Sequence, residues 1–281
     1  MISDLNEVFS TNAKHMKKSV IRELLKLTRR PEVISFAGGL PDPAAFPVDE
    51  VAEITAHVLK TQGATALQYG PTEGDPKLKE ELIAHHERED GTQLRPENVL
   101  ITVASQQGLD LTAKVFIDRG DKVIVGLPTY VGGLGAFTSY GAEMIGIELD
   151  DDGMRMDLLE AELERLRKRR EKPKFIYVVP DFQNPAGITM SEERRLKLIE
   201  LAHKYDVLII EDSPYKELRF EGETQKSIFA LDGTGHVIGL HTFSKILFPG
   251  MRLGWIIGDE AVIQKIVIAK QATDLCTPPF N

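Results

Sequence analysis

From about Asn98 onward the chain alternates short apolar runs with helix-like stretches, and this alternation constrains the fold more than any other feature. The runs are NVLITVAS, DKVIVG, AEMIGIEL, KFIYVVP, DVLIIED, HVIGLHTF and LGWIIG. Val and Ile dominate them with little polar alternation, as in strands covered on both faces. Between several of them lie helical patterns. One is SEERRLKLIELAHKY, with Ser191 as N-cap, two glutamates in the first turn and Leu196, Ile199 and Ala202 on one side. Such alternation predicts an α/β fold with a mostly parallel central sheet sandwiched by helices. No helical pattern separates the last two runs, so an antiparallel or edge strand is expected there.

Ahead of this core, MKKSVIRELLKLTRR reads as an amphipathic helix, followed by the Gly/Pro-rich SFAGGLPDPAAFP and a further helix from about Val48. Residues 1–47 are therefore expected to form an N-terminal helix and arm, and 48–281 a large domain. The stretch EAVIQKIVIAKQATDLC predicts a long helix, after which the chain soon ends at TPPFN with no closing element. A further C-terminal domain beyond residue 281 is the expectation.

Composition removes several function classes. Acidic residues outnumber basic ones, 43 to 34, for a formal net charge of -9, whereas a nucleic-acid surface favours a basic excess. The basic run RLRKRREK closes a helical pattern, where it suits the helix dipole. The lone cysteine, Cys276, permits neither an internal disulfide nor a cysteine-based zinc site. No apolar run approaches the roughly 20 residues of a membrane span and nothing reads as a signal peptide, so a cytoplasmic location is expected, with no membrane or nucleic-acid partner. The sequence lacks G-x-x-x-x-G-K-[ST], G-x-G-x-x-G, H-E-x-x-H and G-x-S-x-G, so no metal site and no hydrolase elbow are expected.

In open α/β sheets ligands bind beyond the carboxyl ends of the strands. Polar groups follow five of the runs: Ser105-Gln106-Gln107-Gly108, Pro128-Thr129-Tyr130, the segment from Asp181 through Asn184 to Gly187, Asp212-Ser213-Pro214-Tyr215, and Thr242-Phe243-Ser244-Lys245. Singly, each has a plain explanation. Ser105 serves as an N-cap, Tyr130 packs in the core, Asn184-Pro185 marks a turn, Asp212 caps the next segment, and Lys245 is a surface lysine with a snorkelling stem. Jointly they suit one polar, anionic, ring-shaped ligand. A helix N-terminus, hydroxyls and the Arg252 guanidinium match a phosphate.

The set SQQG, PTY, NPAG, EDSPY and TFSK-x-x-x-PGMRLG resembles the fold-type I, pyridoxal-phosphate-dependent aminotransferases of classes I and II, and within them the 2-aminoadipate and kynurenine subgroup. SVIRELLKLTRRPEVISFAGGLPDPAAFP and LQYGPTEGDPKLKEEL extend the resemblance over nearly the whole chain. It implies Lys245 as the residue forming the internal aldimine (a Schiff base) and shuttling protons at the substrate α-carbon. Asp212 would pair with the pyridine nitrogen, Asn184 and Tyr215 with the 3-hydroxyl oxygen, and Tyr130 would stack on the ring. Ser105, Gln106, Thr242, Ser244 and Arg252 would hold the phosphate. Tyr69 would reach the neighbouring subunit's phosphate, which implies a homodimer with shared active sites. Gly39 and Asn184 would lie where substrate binds, and Arg22, with Ser19 beside it, would face an acidic substrate side chain unless it is simply a solvent-facing helix charge. The arginine that grips the substrate α-carboxylate in this family would lie beyond residue 281. The implied reaction moves the amino group of an L-amino acid (2-aminoadipate, glutamate, aromatic or kynurenine-like) to a 2-oxo acid. A β-lyase or decarboxylase would use the same early-acting residues. A regulator with an aminotransferase-like ligand domain needs a DNA-binding module, and the first forty residues hold no helix-turn-helix.

Three expectations about local physics accompany these roles. Burial near Arg252 would lower the Lys245 pKa, and Gly250 and Gly254 would let the backbone turn sharply around the site.

Overall fold

The computed structural model describes residues 4–16, 32–34 and 39–281; Ser19, Arg22 and the expected helix around them lie outside the described residues. A short helix α1 (Thr11–His15) precedes α2 (Val48–Ala66) and α3 (Pro76–Asp90). Asp75 caps α3 by accepting from the Lys77 and Leu78 N–H groups, Pro76 occupies its first turn, and left-handed Gly91 ends it.

All seven apolar runs are strands: β1 (Val99–Thr102), β2 (Lys122–Leu127), β3 (Glu143–Asp150), β5 (Phe175–Val178), β6 (Leu208–Asp212), β7 (Val237–Thr242) and β8 (Gly254–Ile257). A two-residue β4 (Gly153–Met154) turns back on β3. The sheet order is β1-β8-β7-β6-β5-β2-β3-β4. Strands β3, β2, β5, β6 and β7 run parallel, and β8 runs antiparallel to both β7 and β1. The strand that lacks a preceding helix is thus antiparallel but lies inside the sheet, not at an edge. Two reversals leave β1 pointing the same way as β7, so the carboxyl ends of β1, β2, β5, β6 and β7 share one rim.

Helices α4 (Ala104–Phe116), α5 (Val131–Ser139), α6 (Met156–Lys168), α7 (Glu192–Tyr205), α8 (Ile228–Asp232) and α9 (Glu260–Gln271) cover the two faces. Alternate residues of a strand point to opposite faces. Val123, Val125, Phe175, Tyr177 and Ile210 accordingly pack with Leu109 of α4 and Ile263 of α9. Ile124, Ile176, Val178 and Ile209 pack with Leu159 of α6 and Leu198 of α7. Covering both faces explains why the runs other than β3 carry little polar alternation; β3 lies largely uncovered, with only Ile147 buried.

Two expectations about helices need correction. Ser191 does cap α7, but Leu196 faces outward at 48% exposure while Arg195 turns inward and is fully buried. The Arg195 guanidinium is satisfied by Asp181 Oδ1 (2.8 Å) and by the Met190 and Lys226 carbonyls (3.0 and 2.9 Å). A fully paired arginine can occupy a core position, and it rotates the inward face by one residue. The terminal helix α9 ends at Gln271, short of Cys276. There Lys270, fully buried, bonds Asp274 (2.8 and 2.9 Å) and Gln107 (2.9 Å), and Leu275 turns left-handed. No helix among the described residues is long and apolar enough to cross a membrane.

Candidate active site

Every expected strand-end residue sits along the shared rim, in the sheet order that brings β1, β8, β7, β6, β5 and β2 side by side. The centre is Asp212, the last residue of β6, at 2% exposure. Its Oδ2 accepts a 2.7 Å hydrogen bond from the Tyr177 hydroxyl on neighbouring β5, whereas its Oδ1 is buried with no partner. Burial pushes the Asp212 carboxyl up to about 7, against the downward pull of the Tyr177 hydrogen bond. Burial also raises the Tyr177 hydroxyl well above its ordinary value, with the Asp212 charge adding to it, so Tyr177 stays a donor. A buried carboxylate oxygen without a donor is costly. A protonated ring nitrogen beside it would satisfy Oδ1 and hold the carboxylate ionised, so the donor set fits pyridoxal phosphate. Tyr177 escaped the sequence reading because a tyrosine inside an apolar strand reads as core; its only signal was a polar tip one strand away from Asp212.

Beside Asp212, the Asn184 side-chain amide donates to the Tyr215 hydroxyl at 3.2 Å. Burial raises the Tyr215 pKa, opposed by the Asn184 bond. These two residues come from different strand ends, 31 positions apart, and present adjacent polar atoms. Tyr130 begins α5 and lies over Gly132, where a Cβ would come within 2.4–2.5 Å of its ring. Its hydroxyl reaches Gln106 Oε1 at 3.4 Å.

The groups expected to hold the phosphate lie on α4 and the β7–β8 connection. Val103, not Ser105, occupies the N-cap of α4, because Gln107 Oε1 reaches back to the Val103 N–H at 2.9 Å. Ser105 and Gln106 therefore lie in the first turn, where backbone N–H groups have no intrahelical acceptor. The Gln106 side-chain amide donates to the Gly132 carbonyl (3.1 Å), which leaves its backbone N–H, in the first turn, as the group open to a ligand. Thr242 and Ser244 exchange a 2.8 Å hydroxyl contact, and Arg252 Nη1 donates to Ser244 Oγ at 3.4 Å and to the Pro249 carbonyl at 3.3 Å. No carboxylate among the described residues pairs with Arg252, an exposed cation beside two hydroxyls and a helix N-terminus.

The glycines act differently from expectation. Gly250 has open space around it and no left-handed backbone; it is Arg252 that takes φ +55°. Gly254 is required for close approach: a Cβ there would stand 2.5 Å from the His241 carbonyl oxygen and 2.8 Å from the Ala104 backbone. Its missing side chain lets the start of α4 press against β8.

Lys245 follows β7 directly and is half-buried, and desolvation alone lowers its pKa. The expected contribution from Arg252 is absent, because that guanidinium faces Ser244 and Pro249. The Lys245 ammonium donates to the Gly39 carbonyl at 3.3 Å, joining residues 206 positions apart. Tyr69 projects outward at 79% exposure, away from these groups.

A mostly parallel sheet with this rim defines a fold-type I transferase, and the chain belongs to the aminotransferase class I and II family, which it matches over residues 31–278. It is an aminotransferase whose cofactor is pyridoxal 5′-phosphate. Aromatic-amino-acid aminotransferase 1 of Thermococcus litoralis is 49% identical over 278 residues, covering 99% of this chain and 67% of that protein. The 2-aminoadipate transaminase of Thermus thermophilus is 41% identical over 279 residues, covering 98% and 68%. The crystal structure of Pyrococcus horikoshii kynurenine aminotransferase, in complex with PMP, superposes with a TM-score of 0.94 at 46% identity, covering 99% of this chain and 69% of that one. The chain thus spans about two thirds of the length of these relatives.

Proposed function

We propose that this aminotransferase takes its amino group from 2-aminoadipate, glutamate, an aromatic amino acid or kynurenine and delivers it to a 2-oxo acid. The names of the relatives support the aromatic, 2-aminoadipate and kynurenine donors. The observation that carries the site assignment is Asp212: buried, held by Tyr177, and with one oxygen awaiting a donor. When bound, the cofactor supplies an electron sink for the substrate's α-carbon.

The chain's own residues do the rest. Asp212 keeps the ring nitrogen protonated. Asn184 and Tyr215 orient the ring through its 3-hydroxyl oxygen, and Tyr130 covers one face. Ser105, the Gln106 backbone, Thr242, Ser244 and Arg252 hold the phosphate. Lys245 is the amine that would hold the cofactor at its aldehyde carbon, and its side chain is placed to carry a proton at the substrate α-carbon. Burial favours that role, because desolvation lowers the Lys245 pKa and so raises the neutral share of the amine at any given pH. Gly39, in the proposed arm (residues 1–47), borders the substrate, its carbonyl accepting from the Lys245 ammonium of the large domain (48–281). Asn184 also borders the substrate, and Arg22 meets an acidic donor side chain. The exposed Tyr69 reaches the phosphate of a second copy, so the working unit is a homodimer.

Visible absorption of the purified protein, with and without amino donors, tests this reading. The wild type is expected to show a bound-cofactor band that donors shift, and Lys245→Ala is expected to lose the covalent band. Turnover that proceeds without any oxo-acid acceptor would replace the transferase reading with a lyase.

A further inference from the structure

On the opposite rim of the sheet, three side chains converge that play no part in the cofactor site. His203 lies near the end of α7, Asp232 ends α8, and His236 precedes β7. One ligand atom from each falls within 4.8 Å of the others. We propose that His203 Nε2, Asp232 Oδ1 and His236 Nδ1 form a binding site for a divalent transition metal of the zinc type.

The carboxylate is positioned in advance. Asp232 Oδ2 accepts from the Thr234 and His236 backbone N–H groups at 3.1 and 3.0 Å, which leaves Oδ1 directed at His203 Nε2, 2.6 Å away. Left-handed Gly233 and Gly235 (φ +59° and +90°) make the turn that permits this. The His236 backbone is pinned in turn, its carbonyl accepting from the Ile209 N–H of β6 at 2.8 Å. The Thr234 hydroxyl sits among the three ligand atoms, 3.0 Å from His203 Nε2, 3.0 Å from His236 Nδ1 and 2.8 Å from Asp232 Oδ1. That hydroxyl donates to Asp232 Oδ1 and can accept from both imidazoles, so it bridges the same three atoms whose lone pairs a cation would take, and would serve as a fourth ligand or turn aside.

A second, outer feature matches metal-binding histidines. The far nitrogen of His236, Nε2, faces Asp206 Oδ1 at 3.8 Å, the carboxylate–imidazole arrangement that orients a ligating ring. Two imidazoles and one carboxylate suit zinc, cobalt or nickel and not magnesium or calcium. Zinc–nitrogen bonds of about 2.0–2.1 Å place tetrahedral ligand atoms about 3.3 Å apart, so binding needs His203 Nε2 and Asp232 Oδ1 to part from 2.6 Å and any pair as far apart as 4.8 Å to close by about 1.5 Å. The site lies far from Lys245: β7 separates the two rims by five residue steps, about 16 Å at ~3.3 Å per residue. Its role is therefore structural, a clasp between the end of α7 and the α8–β7 turn. The sequence conceals it because the ligands are spaced 29 and 4 residues apart and belong to two segments that meet only in the folded sheet.

The test is calorimetric titration of ZnCl2, and separately MgCl2, into the metal-stripped, cofactor-loaded full-length protein. The wild type is expected to bind one zinc per chain and no magnesium, with the cofactor absorption band unchanged and the melting temperature raised. The His203→Ala/His236→Ala pair is expected to weaken zinc at least tenfold and to lose the thermal shift. Asp206→Asn, which keeps a residue tolerant of the left-handed backbone there, is expected to weaken it about tenfold. If the double variant misfolds by circular dichroism, His236→Gln serves in its place. Absence of stoichiometric zinc in the wild type, equal affinity in the variants, or a zinc-induced change in the cofactor band would each overturn the proposal.

Discussion

Replacing Tyr177 by Phe keeps the ring in its core position and removes one hydroxyl, the only hydrogen-bond donor that Asp212 has within the described chain. A hydrogen bond to a charged group contributes about 1.5–3 kcal/mol, and a pKa unit corresponds to about 1.36 kcal/mol, so its loss raises the Asp212 pKa by about 1–2 units. The wild-type carboxyl stands at about 7, already raised by burial. The variant would stand at about 8–9. The sign follows directly: ring-nitrogen pairing needs the carboxylate, which is present above the pKa and lost as pH falls through it. At pH 7 the ionised fraction drops from about one half to roughly 1–10%, so cofactor affinity falls about five- to fifty-fold; at pH 9 the two proteins converge to within about twofold. Titration of pyridoxal phosphate into the apo-proteins by absorbance, from pH 6 to 9, reads this ratio. A ratio that is flat with pH, or below twofold at pH 7, would refute the claim that Tyr177 acts by supporting the Asp212 carboxylate.

Gly254→Ala would push a Cβ into the His241 carbonyl and the Ala104 backbone, neither of which can swing aside as a side chain would. A cost of about 1–3 kcal/mol or more is expected, with weaker cofactor binding as α4 moves away from β8; a melting curve and affinity equal to wild type would contradict the close-approach reading. Arg22→Ala should lower kcat/KM for glutamate-like donors and leave aromatic donors alone, and an unchanged donor preference removes Arg22 from the substrate site.

How far the amino-acid order alone reaches is seen in particular residues. All seven apolar runs are strands, and in all but the largely uncovered β3 the covering of both sheet faces demands a pattern with little polar alternation, which is local to each run. Ser191 capping α7 and the polar residues that end β1, β2, β5, β6 and β7 are likewise short-range features, visible without knowing any neighbour. The rim they build was legible in outline for that reason.

Tertiary structure decided everything that depends on which strands are neighbours. The order β1-β8-β7-β6-β5-β2 sets β5 beside β6, and so gives Asp212 its Tyr177 partner. It places β8 between β7 and β1, where Gly254 must have no side chain for the Ala104 backbone and the His241 carbonyl to lie against it. Arg195 in the core, Lys270 folded onto Asp274, the Gly39 carbonyl at Lys245 and the His203–Asp232–His236 cluster follow the same logic. Each joins a charged or polar group to a partner whose position is set by packing, and charge read along the chain points such residues outward. The order of residues determines which elements form and what stands at their ends; only their packing determines which buried charges find partners, and hence the chemistry those ends can perform.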